Sequence, residues 1–365
     1  MTEHLEAIRI GRDYKKVMIP CEVCGGSHFS PLQTHGRIAE AGVYGTLNVM
    51  ICDGCGFKMT NPRYEDRFYQ DYYERLYREV AFGAEKPSDL YVEQQKLRGA
   101  GVLRYAQKFV DKPGRMLDHG CASAATSLPW RDAGWNVRGV DPHRPSIELG
   151  RELFGLDLEI AAGESLPYAD DSFELVLSLG STEHAYDIGK AMREVRRVLV
   201  PGGWFLIRWR TAEMFGSPLE YYNHNHYRFF TKKTWRLMLR RYGFEIIDQD
   251  ETKYEGSPNY SYIMARATLE PSDAAVREAI AKGEGDDAAA ALAWHDDYRK
   301  RFRERVENFL NEAKPYEGKP LALFDAVKSG QIRWTLMFAD PEWVVNRALL
   351  EARRYIEEYD AGRAG

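Results

Sequence analysis

The sequence predicts an α/β protein whose main domain is a doubly wound, mostly parallel β-sheet covered by helices. From Arg115 onward, strand signals alternate with helical signals in the order βαβα, which is typical of parallel sheets. The length of 365 residues suits one medium domain with smaller attachments. With 44% hydrophobic and 29% charged residues, the chain can form a packed core beneath a charged surface.

The βαβα pattern resolves into individual elements. Strands are predicted at 115–119, 136–140, 158–161, 173–179, 204–209 and 244–248. Helices are predicted between them at 124–133, 145–154, 188–199 and 232–242. Pro145 suits the first turn of its helix, and Gly134, Gly155 and Gly243 follow helix ends, where glycine is favoured.

Two Cys-x-x-Cys pairs precede this region. Cys21 and Cys24 form the first, Cys52 and Cys55 the second, and a glycine follows each. Two such turns bring four thiolates together in the tetrahedral arrangement that Zn²⁺ prefers. Because four thiolates leave no open coordination position, we expect a structural zinc and a zinc ribbon over residues 18–62.

Two alternatives to the four-thiolate site are consistent with the sequence. The four cysteines could be ordinary buried or redox-active thiols, although paired Cys-x-x-Cys turns favour a metal. Either His28 or His35 could also replace one of the ligands.

The segments that flank the main domain are predicted to be helical. Residues 63–112 form a tyrosine-rich connector, in which 91–110 is helical with Leu97, Val102, Leu103, Ala106 and Val110 on one side. Residues 268–365 form a helical extension that could serve as a lid, a homodimer interface or a substrate-binding element. In this extension one helical face carries Tyr298, Phe302, Val306, Phe309 and Leu310, and a last helix is expected at 341–359.

The charge of the chain bears on partners and location. A net charge of −5 provides no overall basic field, so we expect a small-molecule substrate and not a nucleic acid. The first residues, up to Lys16, are polar, and no run approaches the ~18 apolar residues of a membrane span. We therefore predict a cytoplasmic protein with no membrane span.

The first predicted strand of the main domain leads into a tight turn of small residues. Gly120, Ala122 and Ala124 line this turn, where backbone amides can approach a ligand closely. Asp141, which follows Asp118 by 23 residues, ends the next strand, where a carboxylate can bind both hydroxyls of a ribose. The pair of features indicates a nucleoside-binding site.

These residues resemble the class I S-adenosylmethionine (SAM)-dependent methyltransferases, whose first motif is an acidic residue followed by Gly-x-Gly-x-Gly. Gly120 matches the first glycine, whereas Ala122 and Ala124 stand at the second and third. Later landmarks of the family follow in order at 163–168, 171–176, 183–184 and 197–203. The resemblance implies SAM as cofactor and a seven-stranded Rossmann-like domain over residues 113–267.

The resemblance also implies which residues contact SAM. Asp118 and Gly120 would line the methionine end, Asp141 the ribose, and Gly163 with Glu164 the adenine. The complete set of expected cofactor contacts is Asp118, Gly120, Ala122, Asp141, Gly163, Glu164 and Glu183. Many relatives carry an aspartate for the adenine amine where this chain has Ala162, so we expect adenine recognition to depend more on the backbone.

Methyl transfer to a hydroxyl or amine requires a base near the acceptor atom. Ligands of open α/β sheets bind at the carboxyl ends of strands, which places the candidates in two loops. The candidate catalytic residues are His184, His224, His226 and Tyr222. Histidines often only cap or orient, His226 could be structural, and Tyr221, Tyr222 and Tyr227 could either stack on a substrate ring or pack.

The combination of the cysteine module, the connector and the methyltransferase core, over residues 18–267, resembles bacterial enzymes of polysaccharide, lipid-sugar and antibiotic-sugar pathways. It predicts a small-molecule methyltransferase that acts on a hydroxyl, amine or carbon of an activated sugar or of a polysaccharide or natural-product intermediate.

Two other functions are weighed against this prediction. The first is a zinc-ribbon RNA base or ribosomal methyltransferase, but the knuckles carry few basic residues and no Asn-Pro-Pro-Tyr loop stands at 178–182. The second is a non-catalytic SAM-binding or interaction protein, which the alanines of the first motif suggest.

Overall fold

The computed structural model describes residues 14–40, 43–75, 89–209, 226–250, 261–317 and 319–329, together with Arg353 and Ile356. Two of the predicted catalytic residues, Tyr222 and His224, lie outside these ranges, as does all of the predicted helix at 341–359 except Arg353 and Ile356.

The N-terminal part is built from short antiparallel strands. Their bounds are β1 Lys16–Val17, β2 Phe29–Glu40, β3 Val43–Cys52, β4 Lys58–Thr60 and β5 Arg63–Tyr64. Leu47, Val49 and Ile51 alternate along β3 and are buried, which gives this strand one apolar face. A strand from much later in the chain, β11 (Arg228–Phe229), pairs with β4 and completes a four-stranded sheet. The cysteine region therefore shares a sheet with residues that follow β10 of the main domain.

Two helices connect the N-terminal strands to the main domain, α1 (Asp66–Arg75) and α2 (Asp89–Ala106). The predicted helix at 91–110 is confirmed as far as Ala106, where the helix ends, so Val110 lies beyond it, and Val102 and Ala106 are buried as expected. Leu97 does not share their face, because it is 61% exposed. A Cβ atom on Gly99 would overlap the backbone oxygen of Thr126, so α2 packs closely against the segment that follows β6.

The main domain contains the predicted seven-stranded sheet. Its strands are β6 Arg115–His119, β7 Asn136–Asp141, β8 Asp157–Ile160, β9 Phe173–Leu179, β10 Leu199–Trp209, β12 Glu245–Asp250 and β13 Ser261–Arg266. Their order in space is β12-β13-β10-β9-β6-β7-β8. β13 runs antiparallel to both of its neighbours, and the pairs from β10 through β9, β6 and β7 to β8 are parallel.

The sheet carries apolar side chains on both faces. Met116, Leu175 and Leu206 lie in one buried cluster, and the residues that follow them, Leu117, Val176 and Ile207, lie in the other. This alternation means that helices cover both faces, as the doubly wound prediction requires.

The helices on the sheet are α3 Leu128–Asp132, α4 Arg144–Phe154, α5 Ile188–Val198 and α6 Lys232–Arg241. The prediction of one continuous helix at 124–133 is wrong, because a 3₁₀ turn at Ala125–Ser127 precedes α3. Ala124 has φ 58, which is incompatible with a right-handed helix at that position. β13 was not among the predicted strands, because its residues 261–265 are all buried and show no alternation.

Helices α7 (Asp273–Ala281), α8 (Ala288–Ala313) and α9 (Pro320–Lys328) form the C-terminal extension. Phe302, Val306 and Phe309 are buried on one face of α8, as predicted. The extension lies against the cysteine region, where the Asp286 amide donates to the backbone oxygen of Cys55 at 3.1 Å. Among the helices in the described ranges, no segment combines the length and low polarity that crossing a bilayer requires.

Candidate functional site

The strand order creates a crevice at the carboxyl ends of β6 and β9. From β6 the sheet extends through β7 and β8 on one side and through β9 and β10 on the other. Connections leave these two neighbouring strands toward opposite faces, which separates the loops that follow them. The loops of the crevice are the turn after β6 and the segment after β9, and they contain three of the seven predicted cofactor residues, namely Gly120, Ala122 and Glu183.

The turn after β6 adopts an unusual backbone conformation. Gly120, Ala122 and Ala124 have φ angles of 77°, 50° and 58°. A Cβ atom on Gly120 would overlap the Cβ of Ser181 and lie 2.8 Å from its Oγ, so only glycine fits there. The two alanines keep the left-handed conformation that glycine usually supplies, at a cost of roughly 1 kcal/mol each. The alanine-substituted turn thus retains the backbone shape of a glycine-rich one.

Asp141 lies beside this turn at the end of β7. Its Oδ2 accepts a hydrogen bond from the Ala122 amide at 2.8 Å, and its Oδ1 accepts one from the His143 amide at 2.8 Å. Each carboxylate oxygen has a second lone pair that can accept from a hydroxyl. The two amides therefore fix an acceptor for a diol next to the small-residue turn.

Asp118 is more enclosed than Asp141. It is 1% exposed and accepts hydrogen bonds from Ser127 Oγ at 2.6 Å and Thr126 Oγ1 at 3.2 Å. Burial raises the pKa of Asp118 to about 6, although the two hydroxyl donors oppose the shift. These contacts tie β6 to the 3₁₀ turn before α3.

His119, which the sequence prediction missed, ends β6 and contacts the segments that follow β8 and β9. Its Nδ1 lies 3.4 Å from both Ser181 Oγ and Thr182 Oγ1. A Cβ atom on Gly163 would overlap His119 Nε2 and lie 2.5 Å from Cε1, so the imidazole occupies the space that a larger residue would need. Burial lowers the pKa of His119, which favours the neutral ring. Glu164, the other predicted adenine-side residue, accepts from the Asp187 amide at 3.4 Å.

His184, in the segment after β9, lies against His226, which precedes β11. The rings of His184 and His226 are 4.5 Å apart between centroids and nearly perpendicular, although 42 positions separate them in the sequence. Burial raises the pKa of Glu183 to about 7. Two of the three predicted catalytic histidines therefore adjoin.

Tyr227 packs within the protein and is not available to stack on a substrate. It is 1% exposed, its ring lies 4.5 Å from that of Tyr69, and its hydroxyl donates to the backbone oxygen of His184 at 2.7 Å. Of the two roles predicted for Tyr227, stacking on a substrate ring and packing, the structure shows packing.

The four cysteines of the two knuckles converge. Their sulfur atoms all lie within 4.8 Å of one another, with Cys21 and Cys55 at 3.6 Å and Cys24 and Cys52 at 3.6 Å. A tetrahedral zinc with bonds of ~2.3 Å separates its sulfurs by about 3.8 Å, whereas a disulfide brings them to ~2.0 Å. The Gly26 amide also points at Cys24 Sγ at 3.4 Å. The donor set and spacing fit a divalent metal.

The four thiols shift one another's pKa values. Hydrogen bonding from Cys21 lowers the pKa of Cys24, and likewise lowers that of Cys52 to about 7. Hydrogen bonding with the neighbouring sulfurs raises the pKa values of Cys21 and Cys55. A bound divalent cation would favour the thiolate form of all four cysteines.

A buried ion-pair network, which no sequence pattern predicted, adjoins the first knuckle. Glu22 accepts from Arg63 at 3.0 Å and from Arg228 at 2.6 Å. Burial by itself would raise the pKa of Glu22, but Arg228 and Arg63 hold it below its usual value. Glu22 stands between two cysteines, and Arg228 is 206 positions away, so no local sequence signal links them.

Residues 117–207 match the family described as methyltransferase domain. A malonyl-[acyl-carrier protein] O-methyltransferase of Pseudescherichia vulneris is 33% identical over 126 residues, which cover 34% of this chain and 49% of that protein. The methyltransferase GfsG of Streptomyces halstedii is 34% identical over 108 residues, which cover 27% of this chain and 38% of that protein.

Among solved structures, the 1,6-didemethyltoxoflavin-N1-methyltransferase of Burkholderia thailandensis, with bound 1,6-didemethyltoxoflavin and S-adenosylhomocysteine, is 20% identical. The superposition of the two structures covers 49% of this chain and 81% of that chain with a TM-score of 0.41.

The family match and the relatives agree on one class of enzyme. The segment from β6 to β10 is a SAM-dependent methyltransferase domain of class I, as the first motif and Asp141 predicted. The chain spans about half the length of the first curated relatives, at 49% and 48% of their sequences. The cysteine cluster and helices α7 to α9 lie outside the matched segment.

Proposed function

We propose that the protein transfers a methyl group from SAM to a small molecule, at a hydroxyl, amine or carbon of an activated sugar or another natural-product intermediate. The observation that carries the proposal is the position of Asp141, whose carboxylate is fixed beside the left-handed turn of Gly120 and Ala122. That arrangement offers an acceptor for ribose hydroxyls and backbone amides for a close-lying ligand.

Within this proposal the crevice residues have distinct tasks. Asp118, Gly120 and Ala122 would hold the methionine end of SAM, and Asp141 the ribose. Gly163, Glu164 and Glu183 would line the remainder. SAM supplies the electrophilic methyl group when it is bound, and the chain orients the acceptor for in-line attack while it excludes water.

His184 and His226 are the proposed base and its orienting partner. The perpendicular rings, 4.5 Å apart, allow one imidazole to take the acceptor proton while the other restricts its orientation. A hydroxyl or amine acceptor requires this proton removal, whereas a carboxylate acceptor is already ionised at neutral pH.

This difference matters because a second substrate class has support. Several relatives are malonyl-[acyl-carrier protein] O-methyltransferases, and the one from Geobacter sulfurreducens is 29% identical over 187 residues, which cover 70% of that protein. A carboxylate on an acyl carrier is therefore the second candidate acceptor. The sugar-like acceptor is favoured by the paired histidines, which carboxylate methylation does not need.

The two candidates predict different behaviour of histidine variants. With nucleotide-linked sugars as acceptors, His184→Ala or His226→Ala should lower the rate of S-adenosylhomocysteine formation by about 10²- to 10⁴-fold. The dissociation constant for SAM, measured by calorimetry, should change by less than about threefold in the same variants because neither ring is assigned to the cofactor.

The control and the opposing outcomes follow from the same assay. Malonyl-acyl carrier protein serves as the carboxylate acceptor. If both histidine variants still methylate malonyl-acyl carrier protein and no sugar is methylated, the carboxylate acceptor would replace the sugar-like acceptor in the proposal. SAM binding without product from either acceptor class would instead support a non-catalytic protein.

We also propose that Cys21, Cys24, Cys52 and Cys55 hold a structural Zn²⁺. The closed set of four sulfurs supports a structural and not a catalytic ion, because no coordination position is left for substrate.

A further inference from the structure

The guanidinium of Arg228 is completely enclosed, and each of its five N–H groups has an acceptor. Nε and Nη2 each donate a hydrogen bond of 2.6 Å to the Glu22 carboxylate. Nη1 donates to the backbone oxygens of Glu183 at 2.9 Å and Ala185 at 2.6 Å, and Nη2 also donates to that of Tyr186 at 2.7 Å. The side chain is 0% exposed. Arg228 thus joins a carboxylate of the first knuckle to three carbonyls of one segment, residues 183–186.

Arg63 makes the same connection by a parallel route. Its Nη1 donates to Glu22 Oε1 at 3.0 Å and its Nη2 to the backbone oxygen of Tyr186 at 2.6 Å. Its guanidinium also lies 4.6 Å from the centre of the Tyr186 ring. Glu22 is therefore the shared anion of two arginines that both reach the segment 183–186.

The segment that both arginines contact, residues 183–186, includes Glu183 and the proposed base His184. The carbonyls of Glu183, Ala185 and Tyr186 accept from the arginines, so these contacts fix the backbone from which the side chains of Glu183 and His184 extend. Other contacts of the segment include the Tyr227 hydroxyl, which donates to the His184 oxygen at 2.7 Å, and the amides of His184 and Ala185, which donate to the Ser181 oxygen at 2.9 Å and the Thr182 oxygen at 3.2 Å. A single 3₁₀ turn of three residues is weak by itself.

The position of Glu22, at the other end of the network, depends on the first knuckle. Glu22 lies between the metal-ligand candidates Cys21 and Cys24, so the geometry of that turn determines where its carboxylate stands. The pairing of β11 with β4 and the 2.9 Å hydrogen bond from the Thr60 amide to the Tyr227 oxygen keep Arg228 in register with the same module.

We propose that Glu22, Arg63 and Arg228 are positioning residues that fix the backbone of residues 183–186 against the cysteine knuckle, so that metal binding in the knuckle sets the geometry of Glu183 and His184. The proposal assigns the N-terminal module a part in the reaction without contact to substrate. It rests on the proposed function in one respect, namely that the segment 183–186 faces SAM and the acceptor.

The test compares two arginines that both contact the first knuckle. Arg228→Lys keeps the charge but offers three donors to five acceptors. Arg241→Lys is the matched control, because Arg241 donates to the backbone oxygens of Glu22 and Val23 and pairs with Asp273 without contacting residues 183–186. Both variants are studied as full-length, metal-loaded protein, and their zinc content and thermal unfolding are recorded.

Amide hydrogen exchange is the main readout. In Arg228→Lys the amides of His184 and Ala185 should exchange about tenfold faster or more, while that of Gly155 in the distant α4 cap keeps its rate. SAM affinity, measured by calorimetry, should fall by about fivefold or more. Wild-type protein from which a chelator has removed the metal should show the same faster exchange. Arg241→Lys should match wild type in both readouts.

Unchanged exchange at His184 and Ala185 in folded, metal-loaded Arg228→Lys would overturn the proposal. Equal effects of Arg228→Lys and Arg241→Lys would also overturn it, since they would mark a general loss of stability. Should Arg228→Lys not fold, Glu22→Gln, which keeps the side-chain shape, takes its place with the same criteria. If wild type binds no SAM, the proposed function fails, while the exchange rates still decide whether the network positions the segment.

Discussion

Individual residues of the turn after β6 show why this chain can depart from the Gly-x-Gly-x-Gly motif of the methyltransferases that it resembles. Gly120 faces Ser181 and has no room for a Cβ atom, whereas Ala122 and Ala124 have left-handed backbones with their Cβ atoms accommodated. The sequence could indicate that small residues are needed here. It could not indicate which position has a steric requirement, because Ser181 comes from another strand connection.

The turn gives a prediction with opposite outcomes at neighbouring positions. Gly120→Ala should lower the free energy of unfolding by at least about 2 kcal/mol, because overlap with Ser181 adds to the strain of φ 77°. Ala122→Gly should be neutral or stabilising by up to about 1 kcal/mol, since it relieves a left-handed alanine. Urea unfolding of both variants measures the two changes.

Gly155→Ala is the control for conformational strain alone. Gly155 has φ 63° with nothing within 4 Å of an added Cβ atom, so this substitution should cost only about 1 kcal/mol. A Gly120→Ala variant that loses no more stability than Gly155→Ala would show that Ser181 does not restrict the turn.

Site residues differ in how far the sequence could identify them. Asp141 and Gly120 belong to a short motif, so their proximity follows from neighbouring parallel strands. His184 and His226 could be named as candidates, but only the fold shows their rings 4.5 Å apart. His119 and Arg228 escaped notice because their roles depend on tertiary neighbours, which no spacing in the sequence reveals.

Among the secondary-structure elements, strands with clear flanking turns were predicted correctly, whereas a strand buried on both faces and a helix interrupted by a left-handed residue were not. β6 and β9 have the predicted bounds, 115–119 and 173–179. β13 was missed because burial on both faces removes the period-two pattern, and the helix predicted at 124–133 is divided by the left-handed Ala124. Tertiary packing overrides local pattern in both cases.

The two cysteine turns form the element whose chemistry was most accessible from the sequence. Their paired spacing predicted four converging sulfurs, and the described cluster agrees with this geometry. The identity of the metal stays a prediction, since spacing and geometry determine the ligand set and not the ion.

Metal analysis and chelation test this element directly. Purified protein should contain about one zinc per chain, and its removal should lower the thermal midpoint and expose the amides of β3 and β4 to exchange. Cys121→Ser is the control, because this buried thiol lies outside the cluster. If protein purified without any chelator contains no zinc, the proposal of a zinc site at the four cysteines is contradicted.

For the whole molecule, the predicted division into residues 18–62, 63–112, 113–267 and 268–365 stays a prediction. The described contacts show how closely these segments associate. β11 joins the sheet of the cysteine module, and His295 of α8 contacts Gln33 of β2 at 3.0 Å. Residues that precede and follow the methyltransferase domain thus pack together beside it, an arrangement that element order alone could not predict. A role of the C-terminal helices in homodimer formation also stays a prediction.

We propose a SAM site in the crevice at the carboxyl ends of β6 and β9, with Asp141 at the end of β7 as its ribose acceptor. Calorimetric titration of the full-length protein with SAM, compared between wild type and Asp141→Ala, tests it most directly. Loss of the ribose acceptor should weaken binding at least about tenfold. Asp157→Ala, which alters an exposed carboxylate on β8, should bind as wild type does. Equal SAM affinity of wild type and Asp141→Ala would contradict the assignment of the site.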